Sequence, residues 1–417
     1  MPTALNLQRS SEVFFSTVDL LSGDPVTNMK PVNTWKLEVL SGFSVTADSA
    51  IQDITPMESG NNQDRGTQRF NTAVNPVNWS VKTYLKPTKA RAGTTAAGMM
   101  QDANIRAAAD WFMWQSLLSN TTIVTASNIA SGSSVWRHNS FLYMEDRNQQ
   151  GNAMASTSQI AQLTPYQLYF KLDNVVYQVQ NAITNKVTID AGIDEIITDT
   201  WDGYGSLMTE LTGLPRTNAI SVFGGIINSS TTVAANANAS ELTQSIAYHP
   251  YTGMNVAGTF QTHPALPNRL SYIEVNWANA VGGTNYAYTF PVTSLSFSID
   301  NGAKYITPEE LGTLNAPIGN ITGARTVSGS FTTYLRNASA TNVFNQILTD
   351  TRTNSASSAN INLVLSGSAP NVQVLIGAAQ FSFPQLAIED ITSMSVDFLA
   401  QKSVPSGGEA IIRTFIT

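Results

Sequence analysis

Asn78-Trp79-Ser80-Val81-Lys82-Thr83-Tyr84-Leu85-Lys86-Pro87 returns in the second half of the chain as Ser328-Gly329-Ser330-Phe331-Thr332-Thr333-Tyr334-Leu335-Arg336-Asn337. At one common offset Ser80, Thr83, Tyr84 and Leu85 recur as Ser330, Thr333, Tyr334 and Leu335, and Arg336 keeps the charge of Lys86. Upstream, residues 43–56 (FSVTADSAIQDITP) align without a gap with residues 295–308 (LSFSIDNGAKYITP). Downstream, residues 193–202 (IDEIITDTWD) align with residues 388–397 (IEDITSMSVD). The three pairs keep their order, so the chain reads as one unit duplicated. The first unit is expected over residues 1–215, with an insertion at about 121–181. A connector follows at 216–264, with a low-complexity stretch at 228–240 (NSSTTVAANANAS), and the second unit occupies 265–417.

A chain of 417 residues is long enough for two domains, each with its own core. Charged residues make up 12%, about half the share near 25% of an ordinary soluble domain. Hydrophobic residues are at an ordinary 42%, so Ser, Thr, Asn, Gln and Gly fill the deficit. That composition suits a surface covered by neighbouring subunits better than a free enzyme, which carries charge for solubility. The net charge of -7 and pI near 5.0 leave no basic footprint for tight nucleic-acid binding. Without cysteine there are neither disulfides nor thiolate metal sites. No signal-peptide pattern opens the sequence and no run approaches a membrane span, so a soluble chain folding inside a cell is expected.

Strands are expected at 9–19, 35–46 (broken near Ser41-Gly42), 79–85, 134–144, 186–189 and 193–202. In the second unit they are expected at 269–279, 286–300, 328–336, 361–365, 371–383 and 389–399, followed by a tail. Helices are expected at 102–120, at 340–348, and from Thr164-Pro165 onward. Leu168, Leu172, Val175, Val176 and Val179 would give that last helix its apolar stripe. Residues 56–75 read as a long polar loop, of a length usually functional or ordered by a partner. The fold class is mainly β (α+β): two tandem β-sandwich or sheet domains, each with a flanking helix.

The repeated strands alternate in character. Thr198, Thr200 and Asp202, with Ser393, Ser395 and Asp397, oppose Ile197 and Trp201, with Met394, Val396 and Phe398; Asp199 breaks the pattern. Ser80, Lys82 and Lys86, with Ser330, Thr332 and Arg336, oppose Val81 and Leu85, with Phe331 and Leu335. A period of two with one polar face means sheets packed on one side and wet on the other. The wet side can face bulk solvent, which the pattern alone favours, or a shared aqueous channel, which the small hydroxyls favour because exposed sheets more often carry Lys and Glu.

Nothing here specifies catalysis. His138, His249 and His263 have no partner at ligand spacing, so no metal site is expected. Phosphate-cradling glycine motifs and a nucleophile elbow are missing, so neither a cofactor nor a catalytic serine is expected. The acid pairs Asp194/Glu195 and Glu389/Asp390 precede the same strand in both units, where a turn or a subunit contact explains them better than acid–base work.

The S-x-x-T-Y-L strand, the acidic turn running into residues 196–205 (IITDTWDGYG), and the low charge with abundant Thr and Asn resemble the tail tube proteins of tailed bacteriophages. The second unit departs from that pattern, with Val396-Asp397-Phe398 lacking both Trp and Gly. The resemblance implies a non-enzymatic virion protein whose sheets join those of neighbours into a closed ring β-barrel. With two tube domains per chain it implies a homotrimer, a pseudo-hexameric ring, stacked into a tube that conducts DNA. Ser80, Lys82, Thr198, Thr200, Asp202, Ser330, Thr332, Ser393, Ser395 and Asp397 would line the lumen. Loops 56–75 and 309–326, with Asn61, Asn62, Asp64, Arg65, Asn315 and Asn320, would contact the next ring.

The implied partners are further copies, the tail tip or baseplate, a terminator, possible sheath subunits, and double-stranded DNA passing without specific binding. No membrane is involved. Assembly would take place in the host bacterial cytoplasm and end in the virion tail. A baseplate hub or distal tail protein is the nearest alternative. A carbohydrate-binding or surface-layer β-protein is another, and a glycan hydrolase would need two carboxylates facing one cleft.

Overall fold

The computed structural model describes residues 11–16, 34–37, 39–54, 68–85, 111–118, 136–141, 163–172, 175–210, 266, 268–277, 286–308, 310, 315–335, 345–348, 359–367, 371–388, 391–401 and 409–416. In the first half these form β1 (Ser11–Ser16), β2 (Thr34–Leu37), β3 (Ser44–Thr46), β4 (Ser49–Ile54), β5 (Gln68–Val74) and β6 (Val77–Tyr84). Helix α1 (Trp111–Leu118) precedes β7 (Trp136–Phe141), β8 (Tyr166–Leu172), β9 (Val175–Gly192), β10 (Thr198–Gly205) and β11 (Leu207–Glu210). The second half holds β12 (Tyr272–Trp277), β13 (Tyr286–Pro291), β14 (Ser294–Asp300), β15 (Lys304–Ile306), β16 (Gly319–Ile321) and β17 (Thr326–Tyr334). It ends with β18 (Ala359–Leu365), β19 (Asn371–Phe381), β20 (Gln385–Ala387), β21 (Ser393–Ala400) and β22 (Ala410–Ile416). Residues 345–348 are helical, within the helix expected at 340–348.

The mainly β class holds, with corrections to individual elements. The helix expected from Thr164-Pro165 is instead the antiparallel pair β8–β9, in register from Leu172↔Val175 to Tyr166↔Ala182. Strand β8 lies between β1 and β9, and every residue from Tyr166 to Phe170 is buried. A strand covered on both faces gives a continuous apolar run, which periodicity does not separate from a buried helix. Tyr166–Leu172, within the stretch read by sequence as an insertion, is thus a strand whose first five residues are buried. The long polar loop is partly a hairpin, β4 against β5. The C-terminal tail is a strand, β22, paired with β19 and β7.

In the first half, one layer runs β2-β1-β8-β9-β11 and the other β3-β6-β10-β9. In the second half, one layer runs β13-β12-β18-β19-β22 and the other β14-β17-β21-β19, with β20 also on the outer edge of β21. Strand β9 crosses between layers, its first part pairing with β8 and β11 and its last with β10. The bend falls at Asn181, whose φ of 50° lies in the left-handed region that asparagine tolerates. Its side-chain amide donates to Ser206 Oγ at 3.2 Å and its backbone N–H to Gln167 Oε1 at 3.3 Å.

Between the layers, Trp201 and Trp114 meet edge to face at 4.9 Å. That contact seats α1, which both halves hold. Ser116 Oγ donates to Thr164 O at 2.8 Å and accepts from Thr184 N at 3.1 Å. Asn301, from the second half, donates to the Leu117 carbonyl near the end of α1 at 2.7 Å.

Tyr166 is buried beside α1, sharing a 2.9 Å hydrogen bond with Thr184. Burial drives its phenol pKa far above the ordinary value, and the Thr184 contact offsets only part of this. The folded chain therefore keeps this proton above pH ~10, where the unfolded chain releases it, so stability falls as pH rises beyond that point. The slope from this one group approaches about 1.4 kcal/mol per pH unit. Urea midpoints measured across alkaline pH should decline less steeply for Tyr166→Phe than for the native chain. Parallel declines would mean that the hydroxyl is not the group responsible.

Candidate functional site: a continuous polar sheet face

Strand β14 pairs along its whole length with the last part of β9, from Ser294↔Gly192 to Asp300↔Lys186. This seam fuses one layer of each half into a single sheet, β3-β6-β10-β9-β14-β17-β21. Antiparallel partners share a face, so the registers can be followed across it. One row reads Ser44, Ser80, Asp202, Lys186, Asp300, Thr326. The next reads Lys82, Thr200, Thr188, Ser298, Ser328 and ends on exposed Leu399. A third reads Tyr84, Thr198, Asp190, Ser296, Ser330, Asp397, and a fourth Ser294, Thr332, Ser395.

All ten residues expected to line a channel thus fall on one face: Ser80, Lys82, Thr198, Thr200, Asp202, Ser330, Thr332, Ser393, Ser395 and Asp397. The seam adds Lys186, Thr188, Asp190, Ser296, Ser298 and Asp300, which sequence reasoning did not single out although their alternation was visible. Lys86 and Arg336 lie outside the described residues. On the opposite face Val81, Val187, Ile189, Ile197, Trp201, Leu295, Phe297, Ile299, Phe331, Met394, Val396 and Phe398 are all buried. Asp199 is on that apolar side and fully buried, as its place in the pattern required.

The face carries Asp190, Asp202, Asp300 and Asp397 against Lys82 and Lys186. Lys186 stands between Asp202 and Asp300 as the cross-strand neighbour of both, a placement worth up to ~1 kcal/mol per pair. Small hydroxyls join strands across the seam: Ser296 Oγ donates to Asp190 at 2.9 Å, and Thr188 and Ser298 hydroxyls lie 3.5 Å apart. At its end, Asp300 accepts from Asn185 Nδ2 at 3.1 Å and from Gly302 N at 2.8 Å.

The sheet has two unlike ends. Hairpins β4–β5 and β15–β16 leave beyond Thr46 and Asp300, bearing exposed Ile51, Phe70, Ile306 and Ile318. At the other end, Ile193, Ile388, Ile391 and Tyr334 line an open groove with Gly192 and Ser294. Of the residues expected to contact another ring, Asn61, Asn62, Asp64 and Arg65 lie outside the described residues. Asn315 meets the other hairpin, its carbonyl accepting from Val74 N at 2.8 Å. Asn320 needs correction: it is buried in β16, where its side-chain oxygen accepts from Leu163 N at 2.8 Å. A strand position turned toward the core replaces the loop position expected.

No protein-family model matches the sequence. The tail tube protein pb6 of Escherichia phage T5 is 24% identical over 413 residues, covering 98% of this chain and 74% of that protein. A solved structure, the baseplate of the anti-feeding prophage, matches over 36% of this chain and 97% of its own at 16% identity, with a TM-score of 0.24. The SPP1 tail tube matches over 35% of this chain and 78% of its own at 14% identity, with a TM-score of 0.23. Along nearly its whole length, the chain is a homologue of a bacteriophage tail tube protein.

Proposed function

We propose that the chain is a structural protein of a phage tail, the subunit of a tube whose lumen is the polar sheet face. The observation that carries this is the run of polar positions over strands from both halves, interrupted at exposed Leu399 beside Ser328, with an apolar core directly behind it. DNA slides where phosphates find no cations to bind, because phosphate contacts dominate affinity. Hydroxyls and an excess of carboxylates suit that, and the acids flanking Lys186 limit its pull on a phosphate.

The two halves act as successive tube domains of a duplicated chain. Support comes from the sequence repeats and from a strand order that is the same in both halves. Three copies would then make the pseudo-hexameric ring, in which closure removes open sheet edges. Rings would stack head to tail, the hairpins of one facing the end of the next that bears Ile193 and Ile391. The terminal rings would meet the tail tip or baseplate and a terminator, and the outer surface a sheath where one exists. The protein is placed in the virion tail, without catalytic function.

Negative-stain electron microscopy of the purified protein at high concentration tests this. Uniform hollow tubes with three-fold or pseudo-six-fold cross-section are expected. Single rings that never stack would instead make it a baseplate hub or distal tail protein, and dispersed monomers would end the tube reading.

A further inference from the structure

The sheet described above stops at two edges. Among the described residues, β3 pairs only with β6, and β20 only with β21. These edges match the two sides of the internal seam. Ser44 pairs with Ser80 as Ser296 pairs with Ser330, which aligns β3 with β14. Gln385 pairs with Ser395 as Thr188 pairs with Thr200, which aligns β20 with the last part of β9. What differs is the covering. At the seam Ile189 and Leu295 are 0% and 4% exposed, whereas at the open edge Leu386 and Ile388 are 48% and 83% exposed.

From this we infer that β20 of one copy pairs with β3 of a second copy in the register of the internal seam. Across the seam Ser296 faces Asp190 and Ser298 faces Thr188. The same register sets Ser44 of the second copy opposite Ala387, and Thr46 opposite Gln385. It also sets Val45 against Leu386 and Phe43 against Ile388, turning four apolar side chains toward a shared core. Pro384, which has no N–H to donate, ends the pairable stretch. The occupant is another copy rather than an unrelated tail protein because each edge matches one half of a pairing that the chain already makes with itself. A slip of one residue would put the apolar set on the polar face, so the register is strongly specified. The inference rests on the tube reading and gives it its subunit boundary.

The natural chain has no cysteine, so engineered disulfides report on this contact without background. Facing residues on adjacent strands are within disulfide reach, while partners displaced by two residues are ~7–8 Å apart and are not. The Thr46→Cys/Gln385→Cys chain, oxidised after assembly, should shift on a non-reducing gel from monomer to a ladder of linked copies that reductant collapses. The displaced control, Thr46→Cys/Ala387→Cys, should stay monomeric on the gel. Equal linking in the control would overturn the register. Assembled protein with no linking in either variant would overturn the β20–β3 contact while leaving the tube reading intact. Failure of both the native chain and the variants to assemble in sedimentation would remove both.

Discussion

Trp201→Ala should lower the unfolding free energy by about 5 kcal/mol, the upper end of the range for deleting a buried aromatic side chain. Three losses coincide at this position. Trp201 is fully buried between the layers, so the deletion leaves a cavity in the middle of the core. Its ring is the edge-to-face partner that seats α1 through Trp114. Its indole N–H donates to Thr83 Oγ1 at 3.0 Å, and Thr83 is itself buried. Removing the donor leaves that hydroxyl to find another partner, at ~1–3 kcal/mol if it does not. Urea unfolding of the two chains side by side measures the difference. The corresponding residue in the second half is Val396, also buried but much smaller, so Val396→Ala should have a clearly smaller effect. Equal losses at the two sites would show that Trp201 has no special place in the core.

Gly203→Ala should be almost as damaging, at about 3 kcal/mol, through overpacking rather than a cavity. A Cβ on Gly203 would stand 2.0 Å from the Ile183 carbonyl oxygen and 2.2 Å from the Trp79 ring. The first obstacle is backbone and does not swing aside. Gly203 and Trp79 are cross-strand partners. In the second half the same pair is reversed, with Phe398 opposite Gly329. One large and one absent side chain fill the site either way, which explains why the second unit carries Phe398 where the first has glycine. Trp79→Gly in the Gly203→Ala background should not recover the loss, since the carbonyl remains and deleting a buried tryptophan costs ~3–5 kcal/mol in its own right. Full recovery in a thermal melt would mean that the ring was the sole obstacle.

The polar face was legible because its strands obey the simplest rule in the chain. In β6, β10, β14, β17 and β21 every second residue is buried or nearly so, and that alternation is written directly in the sequence. The seam was not legible in the same way. Alternation in residues 186–190 says that a strand has a wet face, but not that a strand more than a hundred residues later will pair with it. Where local pattern and burial part company, the reading failed. Strand β8 is buried on both faces and passed for a helix. Strand β5 is the opposite case: Arg69, Phe70 and Asn71 are all exposed, so no period marks it as a strand. Asn320 looked like a loop residue by its composition, and only its bonds to Leu163 show where it points.

The β9–β14 seam also has a kinetic side. All of β9 and its partners β8, β10 and β11 leave the ribosome before β14 does, and domains tend to fold in that order. A nascent chain therefore displays a bare β9 edge for as long as β14 is still being made. That edge has the same form as β20, so in a crowded polysome it is a site where another molecule's β3 could lodge. The tether resolves the competition: once synthesised, β14 is held near β9 at an effective concentration on the order of millimolar. In the proposed ring, joining two such halves in one polypeptide would convert one of every two lateral contacts from an encounter between molecules into a step of folding.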